Sequence, residues 1–146
     1  MNDPSGDVAF VDTNVLVYAH DASETVRQPA ARAVLAELWR NRLGALSTQV
    51  LEEFYVVATR KFDPPMPRRQ ARDLVEAYSN WRLIQIDVPL VLAASQLEER
   101  HTLSFWDALV LEAARRAGAT RLISEDLQVG RRLGGVLIDN PFASTS

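Results

Sequence analysis

Apolar residues recur along this chain in two alternating rhythms. Residues 8 to 11, VAFV, form a short continuous apolar run like that of a strand buried on both faces, and Asp12 falls at its carboxyl end. Asp12, Thr13 and Asn14 interrupt a longer apolar stretch, VAFVDTNVLVYA, at a point where an unpaired buried charge would be strongly unfavourable. The interruption is either an element boundary or a carboxylate with a chemical task. From about 27 to 42, RQPAARAVLAELWRNR repeats apolar positions at Ala30, Val34 and Leu38, and Gly44 closes it, which predicts a helix. GALS predicts a second strand. TQVLEEFYVVATRKF predicts a helix capped by Ser47 or Thr48 and broken by DPPMP. A polar helix is expected from Pro67 to about Trp81, then a third strand over RLIQID. VPLVLAASQLEER reads as a helix with Pro89 in its first turn. SFWDALVLEAARRAG is the clearest helix, with Ser104 at the cap, Arg115 and Arg116 in the last turn and Gly118 as the stop. TRLIS predicts a fourth strand and GGVLI a fifth.

Strands alternating with helices predict an α/β fold: a three-layer sandwich with a parallel central sheet of four to five strands and helices on both faces. No internal repeat, low-complexity tract or long linker divides the 146 residues, so a single domain over 1–146 is expected. In such sheets, ligands bind beyond the carboxyl ends of the strands.

Composition narrows the chemistry. The hydrophobic share of 47% and charged share of 24% are those of an ordinary soluble protein, and no apolar stretch is long enough to suggest a membrane span. The N-terminus has neither the basic region nor the apolar run of a secretory signal. With no cysteine, disulfides and thiolate metal sites are excluded, and a reducing cytoplasm is the expected location. The net charge of −3 argues against nucleic-acid binding by bulk electrostatics, unless some acids hold metal, since two divalent cations would make the sum positive.

Four acids stand at positions that a parallel sheet draws to one edge. Asp12 follows the first strand and Asp126 the fourth; Asp107 lies in the first turn of the helix starting at Ser104, and Glu53 in the helix after the second strand. Each also has a plainer reading. Ser104 to Asp107 resembles a capping box, Asp126 could open a turn, and Asp12 could cap a helix beginning at Thr13 or Asn14. Glu53 has Val50, Val56 and Val57 as helical neighbours, whereas Glu52 faces Thr48, Gln49 and Tyr55. Glu125, beside Asp126, poses a similar choice of register.

Four acids at one edge would repel each other unless they held cations. Oxygen ligands alone point to Mg²⁺ or Mn²⁺ rather than zinc, and His20 and His101 show no paired ligand spacing. Asp12 and Asp107 are candidate metal ligands, with Glu53 and Asp126 acting directly or through water, and all four are candidate catalytic residues for phosphodiester hydrolysis. Thr13, Asn14, Ser104 and Ser124 are placed to orient carboxylates or waters, and equally to serve as turn and cap residues.

In order along the chain, VDTNVLVYA, STQVLEEFYVV, SFWDALVLEAARRAG and LISEDLQVG resemble the PIN domain of bacterial VapC-type toxins over nearly the whole length. The resemblance implies a Mg²⁺- or Mn²⁺-dependent endoribonuclease, a cognate antitoxin that blocks the active site, and a toxin homodimer. It matches the family's four acids to Asp12, Glu53, Asp107 and Asp126, and its small hydroxyl residue to Ser124. Rival readings are a phosphate-receiving signalling domain and a degenerate α/β binding module. The first should carry a lysine after its last strand, yet Lys61 is the sole lysine.

Arg60, Lys61, Arg68, Arg69 and Arg72 surround the DPPMP break and are candidate RNA contacts, with Arg131 and Arg132 as a second group. Arginine suits bidentate phosphate binding, although such a cluster is more often a solvated face. Trp39, Trp81 and Trp106 are expected in the core or at an interface.

Overall fold

The computed structural model describes residues 6–127 and 130–142; residues 1–5, 128–129 and 143–146 of the expected domain lie outside the described residues. In chain order the elements are β1 (Ala9–Val11), α1 (Thr13–His20), α2 (Gln28–Asn41), β2 (Gly44–Ser47), α3 (Thr48–Arg60), α4 (Arg68–Tyr78), β3 (Arg82–Ile84), α5 (Val88–His101), α6 (Phe105–Arg116), β4 (Arg121–Ile123), β5 (Arg132–Leu133) and β6 (Val136–Asp139). The apolar run of β1 is wholly buried, as its composition requires. The polar interruption after it is an element boundary, with Asp12 extended (φ −77°, ψ 162°) and Thr13 opening α1.

The sheet is ordered β3-β2-β1-β4-β6-β5. Its first five members run parallel, and β5 pairs antiparallel with β6. Among the described residues it therefore has six strands rather than the four to five expected. The additional strand exists because Gly134 and Gly135, at φ 57° and 86°, make a two-residue turn that folds Arg132–Leu133 onto β6. β3 is shorter than expected because Asp87 leaves the strand to cap α5, its side chain accepting from Leu90 N–H at 3.0 Å.

From β1 the chain steps outward to β2 and β3, then returns to lay β4 on the other side of β1. Right-handed crossovers place α1 to α4 on one face and α5 and α6 on the other. The helix packing divides the same way, with α1 against both α2 and α3, α3 against α4, and α5 against α6. The reversal between β1 and β4 is the topological switch point of the sheet, and it opens a crevice at the carboxyl ends of both strands.

At the opposite edge, β2 starts at Gly44, where a Cβ would lie 2.3 Å from the Trp81 ring, so this indole packs directly on the backbone. Trp81 is core, and Trp39 leans on it edge to face at 5.2 Å. Trp106 is not in the core. It is 63% exposed, because the second position of α6 turns away from the sheet, and it rests against Phe105.

Candidate active site

β1 and β4 are in register with Val11 opposite Ile123, and Asp12 N–H donates to Ile123 O at 3.0 Å. Asp12 and Ser124 therefore leave the sheet side by side. The buried Ser124 hydroxyl donates to Asp12 Oδ2 at 2.8 Å, and Thr13 N–H donates to Oδ1 at 2.7 Å. Asp12 is thus both the cap of α1 and a carboxylate only 5% exposed. Burial pushes its pKa from 3.8 up to about 6; the bonds from Ser124 and Thr13 pull it down, and the charges of Asp126 and Glu53 push it up again.

Asp126 lies two residues beyond Ser124 and is exposed. Its N–H donates to Ser124 Oγ at 3.1 Å, and its Oδ2 accepts from Asn14 Nδ2 at 2.9 Å. The same Asn14 side chain accepts from Glu125 N–H at 3.3 Å, so one amide holds both the backbone and the carboxylate of this segment.

Glu53 reaches the site from α3 and accepts from the Thr13 hydroxyl at 2.6 Å. Glu52 and Glu53 are both exposed and border an open groove with Thr13, Val56 and Val57, so the apolar surroundings expected for Glu53 are not what separates them. What separates them is the bond to Thr13. Asp107 sits in the first turn of α6, where its N–H donates to Ser104 Oγ at 3.1 Å. Ser104 thus serves as the helix cap and also neighbours the carboxylate. The Asp107 pKa is raised chiefly by burial, opposed by the Ser104 hydroxyl and reinforced by Asp126 and Glu53.

Because the charges of Asp126 and Glu53 act on both Asp12 and Asp107, all four acids lie within one electrostatic neighbourhood. Among the described residues, no arginine, lysine or histidine forms an ion pair with any of them. A cluster of carboxylates without a protein counter-ion fits a divalent cation. Among the described residues there is no ready-made group of three acidic, histidine or cysteine side chains gathered as a cage. An oxygen-only site with few direct ligands suits Mg²⁺ or Mn²⁺, since magnesium keeps several waters.

Of the other candidates, His20 belongs to the packing, with a ring nitrogen 2.9 Å from the Tyr78 hydroxyl and a pKa lowered by burial and by Arg32. His101 ends α5. Arg60, Lys61, Arg68, Arg69 and Arg72 are all exposed, and none pairs with an acid among the described residues. Arg60 follows Glu53 by seven residues, on the same face of α3 and about 10 Å along its axis. Arg72 lines a second groove with Glu52, Tyr55 and Val56, while Arg68 and Arg69 open α4. Arg131 and Arg132 are exposed at the β5 hairpin. Sequence reasoning did not single out Tyr18, whose hydroxyl donates to Glu125. The available signal was its position one turn after Asn14, on the face of α1 that meets residues 124–126.

Residues 9–132 match the model of the PIN domain. The chain is 31% identical over 117 residues to Ribonuclease VapC7 of Mycobacterium tuberculosis, covering 80% of each chain. Its fold is similar to that in a toxin-antitoxin complex from Klebsiella pneumoniae, with TM-score 0.66, 23% identity, and coverage of 91% of this chain and 97% of the other. It is also similar to a chain of DNA-bound VapBC from Salmonella typhimurium, with TM-score 0.65, 14% identity, and coverage of 92% and 98%. With its domain match, its VapC relative and its acid-lined switch point in agreement, this chain belongs to the PIN-domain family, among the VapC-like proteins.

Proposed function

We propose that the protein is a divalent-metal-dependent endoribonuclease, the toxin of a toxin-antitoxin pair, and that it hydrolyses RNA phosphodiester bonds at the crevice between β1 and β4. The observation that carries this reading is that Asp12, Glu53, Asp107 and Asp126, from four separate segments, share one electrostatic neighbourhood, and that among the described residues no cationic side chain pairs with any of them. The 31% identity to a relative named as a ribonuclease supports the same activity.

In this reading Asp12 and Asp107 hold the cation, with Glu53 and Asp126 acting directly or through water. Mg²⁺ or Mn²⁺ bound there supplies Lewis acidity that acidifies water and offsets charge on the phosphate. The chain's own side chains set the geometry. Ser124 and the Thr13 amide fix the two oxygens of Asp12, the Thr13 hydroxyl orients Glu53, and the Asn14 amide orients Asp126. The exposed carboxylates of Glu53 and Asp126 are free to accept a proton from the attacking water. Arg60, Lys61 and Arg72, beside Arg68 and Arg69, provide phosphate contacts along α3 and α4.

The assignment to a toxin-antitoxin pair draws on the complexes in which similar folds occur, and it brings a cognate antitoxin as partner; a homodimer is proposed from the family resemblance. Among the described residues no helix is long and apolar enough to cross a membrane, and the cytoplasm is the proposed location. A receiver-like reading is disfavoured because Lys61 caps α3 rather than following the last strand. The decisive assay incubates purified, antitoxin-free protein with a panel of cellular RNAs in Mg²⁺ or Mn²⁺. Cleavage by the wild type that disappears in EDTA and in Asp12→Ala is expected; uncut RNA, or cleavage unchanged by that substitution, rejects the reading.

A further inference from the structure

Glu125 stands next to Asp126 in the bend after β4, and its side chain takes partners different from those of Asp126. Its Oε1 accepts from the Tyr18 hydroxyl and its Oε2 from Arg27 Nε. Each oxygen therefore carries a side-chain hydrogen bond from α1 or the segment before α2, and not from the acid cluster. Arg27 is anchored in turn by Glu24 at 3.1 Å, and its guanidinium lies 5.3 Å from the centre of the Tyr18 ring. Tyr18 is further fixed edge to face against Phe142 at 5.3 Å.

From the geometry we infer that Glu125 is a positioning residue, and that Tyr18 and Arg27 grip it to hold the Asp126 segment in the place where Asp126 can serve the cation. The segment is restrained from two sides. On the acid side Asn14 holds the Glu125 amide and the Asp126 carboxylate, and Ser124 links Asp126 N–H to Asp12. On the far side, side-chain restraint comes from Glu125. Asn14 and Tyr18 are one turn apart on α1, so a single helix face carries both halves of the clamp. Asp126 itself is exposed and has little packing to hold it, so its placement depends on these bonds. This inference rests on the metal-dependent reading above, and it assigns Glu125 a task distinct from that of the four acids.

The test is Mn²⁺ binding by calorimetry on the intact chain, together with the Mn²⁺ dependence of RNA cleavage and thermal melting. Glu125→Ala, Tyr18→Phe and Arg27→Met are each expected to weaken Mn²⁺ binding, by about tenfold for Glu125→Ala, a typical cost of losing support behind a metal ligand. Saturating Mn²⁺ should then restore most of the cleavage rate, and Arg27→Lys should bind nearly as the wild type does. Tyr18→Phe removes one oxygen and leaves the packing intact, so it serves as the readout if Glu125→Ala folds poorly. Unchanged Mn²⁺ affinity in Glu125→Ala and Tyr18→Phe would overturn the inference while leaving the nuclease reading in place. Loss of all binding in Glu125→Ala, with no rescue at high Mn²⁺, would make Glu125 a ligand and also overturn it. A wild-type chain that binds no Mn²⁺ overturns both.

Discussion

Ser124 and Asp12, 112 positions apart in the chain, are joined by a 2.8 Å hydrogen bond at the carboxyl ends of β4 and β1. Ser124 has no exposed surface, and it also accepts from Asp126 N–H, so one hydroxyl connects two of the four acids. That bond stabilises the ionised form of a carboxylate that burial would otherwise keep protonated.

Ser124→Ala removes a charge-assisted bond at a buried site. The expected loss is about 1–3 kcal/mol at neutral pH, read by urea unfolding of the metal-free protein. In an Asp12→Asn background the same substitution should cost clearly less. Equal costs in the two backgrounds would show that the bond to the ionised carboxylate is not the source of the effect.

The pH dependence has a definite sign. A carboxyl group whose pKa is 3.8 when unfolded and about 6 when folded binds its proton more tightly in the fold. Its stabilising contribution is complete below the unfolded value and is lost as pH rises through about 6. Metal-free Asp12→Asn should therefore exceed the wild type at pH 8 by up to about 3 kcal/mol, the equivalent of some two pKa units. The gap should close towards pH 4. Mg²⁺ should raise the melting temperature of the wild type at pH 8 and leave Asp12→Asn nearly unmoved. A gap that widens on acidification would contradict the assignment of the buried charge.

The two adjacent glutamates of α3 differ in their contacts, and substitution should separate them. Glu53 is tied to Thr13, whereas Glu52 has no such bond and lines the groove with Arg72. Glu53→Gln is expected to lower the cleavage rate by about a hundredfold or more, the scale of a lost acid-base group or ligand. Glu52→Gln should largely spare it. Steady-state cleavage of a fluorogenic RNA decides between them, and equal losses would undo the assignment.

Gly44→Ala probes the edge far from the acids. The added methyl would lie 2.3 Å from the Trp81 ring, and the contact is with a packed indole rather than a mobile chain end. A stability loss of about 2–3 kcal/mol follows from overpacking, with metal affinity unchanged in the folded fraction. Chemical denaturation and calorimetry read the two quantities separately.

Much of this architecture was legible in the residues alone. The apolar run before Asp12, the Ser47 and Ser104 caps and the apolar stripe of α6 are short-range signals, and each specifies its element without help from distant chain. They also implied that Asp12 and Asp126 end parallel strands. β5 was not legible, because Arg132–Leu133 has too few residues to announce a strand until Gly134 and Gly135 fold it onto β6. The choice between Glu52 and Glu53 was only partly legible, since helical neighbours describe one helix and the separating contact comes from Thr13 on another.

The sequence by itself determined the alternation of strands and helices, the lack of any thiolate and the four acids set at element ends. Tertiary structure alone decided that β4 returns beside β1, so that Ser124 meets Asp12, Asn14 meets Asp126, and Tyr18 with Arg27 draws Glu125 away from its neighbour. The physical reason is range. Caps and periodicity act within a few residues, whereas a carboxylate's partners and its pKa depend on groups about a hundred positions away that only strand order and register bring within hydrogen-bond distance.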